Sequence, residues 1–124
     1  MSSERLGQRL ADILENIERI ENHVRGTTKA KFLEDKLLND GVERCLERIA
    51  EAARKIGDRF DDQYTDINLP ALRRLGSILR HNYDTIRPEL IWDFVKNELP
   101  KLKQMSENEV KVQAATKTKN DTEV

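Results

Sequence analysis

Arg74 and His81 are the two side chains of this sequence whose types and spacing suit work on a phosphodiester. They lie seven residues apart within RRLGSILRHNYDTI, residues 73–86. Read as helix, seven steps of 100° leave the two side chains about 20° apart in heading and two turns apart in height. Ser77 and Ile78 sit between them on the same face. An arginine grips a phosphate through a bidentate fork. A histidine moves a proton near neutral pH, as cleavage by a ribose 2′-hydroxyl demands. Arg80 points about a third of a turn from His81, and Tyr83 follows two residues after the histidine. The same residues also fit a quieter reading. Positive charge complements a helix C-terminus, so a basic helix end needs no further role.

Other chemistry-bearing residues form weaker patterns. His23 sits beside Arg25 at the end of a helical stretch and reads as a capping or solvated residue. Two histidines and a single cysteine, Cys45, give no zinc pattern. Asp58, Asp61, Asp62 and Asp66 lack the loop grammar of a calcium hand and read as a solvated acidic loop. No metal or other cofactor is expected. There is no glycine-rich phosphate loop. Cys45 falls on an apolar helix face and reads as a small core residue. Trp92, beside Ile91 and Phe94, fits either the core or a contact with a partner chain.

The elements that must position these residues are helical. An opening helix from about Ser3 to Val24 carries Leu6, Leu10, Ile13, Leu14, Ile17, Ile20 and Val24 at spacings of three and four. Gly26, Thr27 and Thr28 break it. A short segment, KAKFLEDKLLN, follows, and Asn39-Asp40-Gly41 is either a turn or a kink before the next helix, VERCLERIAEAARKI. That helix has Val42, Cys45, Leu46, Ile49, Ala52, Ala53 and Ile56 on one side and Glu/Arg pairs on the other. GDRFDDQYTDINL reads as a polar connecting loop. Asn68 and Pro70 open a fourth helix, with Leu72, Leu75, Ile78 and Leu79 toward the core. Pro88 opens a fifth, with Leu90, Ile91, Phe94, Val95, Leu99 and Leu102 apolar, and Pro100 should kink or end it. After Met105 no sustained apolar face remains. The expected organisation is one helical domain over residues 1–105 and a disordered tail over 106–124. Short connections favour antiparallel neighbours, hence an all-α, up-and-down bundle of four or five helices.

Composition agrees and excludes some partners. Lys and Arg total 22 against 23 Asp and Glu, so no global basic field exists and any RNA contact must be local. The lone cysteine fits a reducing compartment. No apolar run approaches the ~20 residues that span a bilayer, and MSSERLGQRL lacks the apolar core of a secretory signal. A soluble cytoplasmic protein, without membrane contact, is expected.

Three stretches together resemble the HepT-like proteins of the HEPN superfamily. They are the opening helix through FLEDKLLNDGVERCLERIAEAARKI, Pro70 with LGSILRHNYD, and IWDFVKNELPKL. The middle one is similar to that family's Gly-Asn-x-Leu-Arg-His-x-Tyr variant. The resemblance covers about residues 5 to 103. It implies a helical bundle that forms a homodimer, with an Arg and a His separated by four to six residues in a cleft at the dimer interface, where RNA is cut without a metal. It further implies a toxin encoded beside a nucleotidyltransferase antitoxin that can transfer AMP to the tyrosine two positions after the histidine. Carried over, His81 is the motif histidine, Tyr83 the modifiable tyrosine, and Arg74 or Arg80 the arginine. The common members have Arg-Asn where this chain has Gly76 and Ser77. A catalytically silent HEPN domain that binds a nucleotide or a nucleotidyltransferase is the alternative expectation.

Overall fold

The computed structural model describes residues 1–81 and 86–122, with side chains through residue 116. Among the described residues it is all helix and turn: α1 (Ser3–Val24), α2 (Lys29–Glu34), α3 (Lys36–Ile56), α4 (Leu69–His81), α5 (Pro88–Asn97) and α6 (Leu99–Thr122). None of these helices is long and apolar enough to cross a membrane.

Local chemistry sets the boundaries. Ser2 accepts the Arg5 N–H at 3.2 Å, Thr28 accepts the Lys31 N–H at 3.2 Å, and Asn68 accepts the Ala71 N–H at 3.1 Å, so each satisfies an orphan donor of its helix start. Gly26 and Gly57 follow α1 and α3 with φ of 74° and 80°, a conformation that favours glycine. The break between α2 and α3 falls at Asp35, not at Asn39-Asp40-Gly41. Asp35 accepts the Leu38 N–H at 3.0 Å, and Asn39 donates to the carbonyls of Phe32 at 2.6 Å and Asp35 at 2.7 Å. The side chain that reads as a turn former therefore staples the real bend from inside α3.

The core lies between α1 and α3, the pair in most extensive contact, with α4 on the far side of α3 and α6 against α1. Leu10, Ile13, Ile17 and Ile20 of α1 meet Val42, Leu46 and Ile49 of α3 in full burial. Neighbours run antiparallel: Glu21 pairs with Lys103 at 3.0 Å near one end of α1, while Gln113 reaches the Ser3 carbonyl near the other. Trp92 is core. Its ring lies 5.2 Å from that of Phe32, and Lys96 covers it at 4.6 Å.

Two stretches of polar sequence also pack against the bundle. α6 continues to Thr122, and Met105, Ser106 and Glu109 are all buried. A stripe of one apolar, one hydroxyl and one carboxylate residue escapes a search for hydrophobic periodicity. The connecting stretch 57–68 is also more than a polar loop, because Phe60 and Ile67 are buried and Tyr64 bonds to α6.

Candidate functional site on the outer face of α4

The heading of every α4 side chain follows from one close approach. Gly76 is buried against α3, where an added β-carbon would come within 2.9 Å of Ala50 Cβ. Leu69, Leu72 and Leu79 join Gly76 on the buried side. Ile78, expected in the core, is instead 40% exposed. The reason is rotational: a helix that lays residue 76 on its neighbour turns residue 78 away by two steps of 100°.

That rotation exposes Arg74, Ser77, Ile78 and His81 together. The co-facial arrangement read from the spacing is present. Arg74 and His81 form no hydrogen bond or ion pair with another described residue. They stand about 10 Å apart along the helix axis. Both side chains tilt toward the helix N-terminus, so the tilt does not close that gap. Arg80 goes elsewhere. Its guanidinium approaches Glu51 of α3 at 3.5 Å, beside the bidentate Arg54–Glu51 pair. Tyr83 lies outside the described residues.

The remaining candidates are structural. Asp61 is held by Arg73 in a two-pronged bond of 2.9 and 2.7 Å, and the same guanidinium donates to the Gly57 carbonyl at 3.0 Å. The acidic loop is thereby clamped to the start of α4, and no metal-binding group occurs among the described residues. Cys45 is buried, and burial pushes its thiol pKa up, away from reactivity. His23 is exposed, with its ring near Gly41 of α3.

One feature has no counterpart in the sequence pattern. A groove of about 460 Å³ runs between α1, α3 and the end of α4, walled by Arg9, Arg19, Arg44, Arg48, Lys55 and Arg80. In the sequence the arginines of the third helix read as surface ion pairs, because one helix's spacing shows nothing of the neighbouring helix it will face.

Residues 13–109, which include all of α4, match the sequence profile of the HepT-like ribonucleases. The chain belongs to the HepT-like ribonuclease family. Relatives of this HepT-like chain include a probable ribonuclease HepT of Thermococcus cleftensis, 35% identical over 94 residues that cover 76% of this chain and 86% of the relative. A Methanocaldococcus jannaschii protein provisionally named an RNase is 37% identical over 91 residues, covering 73% and 75% of the two chains. A second protein of that organism, named in the same way, is 31% identical over 102 residues, covering 82% and 84%. No solved structure matches. Position 76, within the matched residues, holds the glycine that packs against Ala50 of α3.

Proposed function

We propose that this HepT-like chain is an RNA endonuclease whose site is completed by a second copy of itself. The observation that carries the reading is the exposed Arg74–His81 face of α4, free of partners among the described residues and with the exposed Ile78 at its middle. The midpoint between Arg74 and His81 falls between Ser77 and Ile78. A twofold axis there lays two α4 helices antiparallel, with Ile78 as the apolar centre. Arg74 of one copy then faces His81 of the other across the seam.

The chemistry follows from those two groups. Arg74 holds the non-bridging oxygens of the scissile phosphate in its fork. His81 takes the proton of the 2′-hydroxyl, the 2′-oxygen forms a bond to phosphorus, and the bond from phosphorus to the 5′-oxygen breaks. The imidazolium returns a proton to the departing 5′-oxygen. The products are a 2′,3′-cyclic phosphate and a 5′-hydroxyl end. Tyr83, two residues beyond His81, is the regulatory handle: AMP placed on its hydroxyl by a cognate nucleotidyltransferase antitoxin sets a bulky anion beside the site and excludes the substrate phosphate.

The test is cleavage of cellular RNA by the isolated chain, with end-group analysis. Wild type should yield 2′,3′-cyclic ends, and His81→Ala should lose at least about 100-fold in rate. Equal cleavage by both removes His81 from the mechanism. No cleavage by either supports a silent domain that binds a nucleotide or a nucleotidyltransferase, a reading to which Gly76 and Ser77 lend themselves.

A further inference from the structure

We infer that the groove between α1, α3 and α4 is a second RNA-binding surface, a track that holds the sugar-phosphate backbone of the strand leading away from His81. Its ligand rests on the nuclease reading above; its location does not. The groove begins at Arg80, the chain neighbour of His81, so a strand cut at the α4 face has this groove within immediate reach.

The walls suit a polyanion. Arg44, Arg48 and Lys55 of α3 fall within about 40° of one heading and span about 16 Å of axis, a length that accommodates a short run of phosphates. Arg9 and Arg19 of α1 line the opposite wall. Six cationic and four carboxylate side chains line the groove, an excess of positive charge in a protein whose net charge is −1. Arg48 and Lys55 make no ion pair with a described residue. Arg80 reaches across to Glu51 of α3 at 3.5 Å, and the remaining three are held only locally. Arg9–Asp12, Arg19–Glu15 and Arg44–Glu47 are pairs three or four residues apart within one helix. Such half-exposed pairs are worth about 0–1 kcal/mol, so a phosphate can take over their arginine forks at little cost. At the groove floor Asn16 is 6% exposed, and its Oδ1 has no hydrogen-bond partner among the described residues. Among the described residues no aromatic side chain lines the groove, so the contacts they offer are to the backbone and independent of sequence.

The experiment measures binding of an oligouridylate about twelve nucleotides long to His81→Ala protein by fluorescence anisotropy across a salt series. Arg44→Gln combined with Arg48→Gln should weaken binding about tenfold and reduce the log–log salt slope by about 1.4, or 0.7 for each phosphate that is no longer neutralised. Arg5→Gln with Arg25→Gln, the same charge change outside the groove, should leave both unchanged. Thermal melts verify that both variants are folded. In chains that retain His81, the groove variant should cleave a dinucleotide at the wild-type rate, because that substrate is too short to reach the groove. Groove-dependent binding by a chain that cleaves nothing retains the track and removes the nuclease. Unchanged affinity and slope overturn the inference, as does an equal loss from the control pair. A groove variant that keeps RNA binding but no longer holds its nucleotidyltransferase assigns the groove to a protein partner and also overturns it.

Discussion

Gly76 and Ala50 stand where α4 crosses α3, so close that a β-carbon on residue 76 would come within 2.9 Å of the alanine methyl. This contact fixes which side of α4 is buried, and through it which side carries Arg74 and His81 outward. Gly76→Ala gains about 1 kcal/mol in helix propensity and loses about 1–3 kcal/mol to overpacking at a site with no flexible side chain to yield. Urea unfolding should show a net loss. Ala50→Gly added to it should recover part of that loss, with the two sites coupled by about 1 kcal/mol in a double-mutant cycle. Additive effects would mean that the helices separate freely there.

The Arg73–Asp61 clamp makes stability depend on acid. Hydrogen bonds from Arg73 hold the Asp61 carboxyl below the usual carboxylate range, against the opposing effect of its partial burial. A carboxylate depressed in the folded state stabilises above its unfolded pKa of about 3.9, and that contribution disappears as pH falls through the lower folded value. Asp61→Asn should therefore melt below wild type at pH 7, and the gap should close below about pH 4. A gap of constant size across that range would show that the clamp does not depend on the charge.

The Tyr64 hydroxyl donates to Glu109 and accepts from the Asn108 amide at 2.7 Å, while Gln63 donates to the same carboxylate at 3.3 Å. Burial, then the Glu109 carboxylate, pushes the Tyr64 pKa up, so the phenol remains a donor throughout the neutral range. This network ties the 57–68 connection to α6 beyond Met105. Tyr64→Phe should cost about 1–2 kcal/mol by leaving Glu109 under-satisfied. Hydrogen exchange should speed up in the stretch of α6 that follows Met105. Unchanged protection there would assign the hold on α6 to its contacts with α1 alone.

The sequence was most legible where one face of one helix decides the outcome. The apolar stripe of α1, the cap at Asn68 and the shared heading of Arg74 and His81 could all be read from spacing, since each depends on a single helix. Ile78 could not. Its register looks core-facing until Gly76 is known to lie on Ala50, and that contact joins residues 26 apart in the chain. The course of α6 past Met105 was hidden for a similar reason. Ser106 and Glu109 are buried polar residues, and the partners of Glu109 come from a connection that itself resembles solvated loop. The arginine groove was hidden because it belongs to three helices at once.

Subunit mixing decides whether Arg74 and His81 act across two copies of the chain. Arg74→Ala and His81→Ala proteins, each inactive alone, are combined, allowed to exchange subunits and assayed on RNA. A shared site leaves one complete Arg74–His81 pair in every mixed dimer, so activity should return to about a quarter of wild type at equal mixing. Continued silence of the mixture, with exchange confirmed by mass, would contradict the shared site and confine both residues' roles to their own chain.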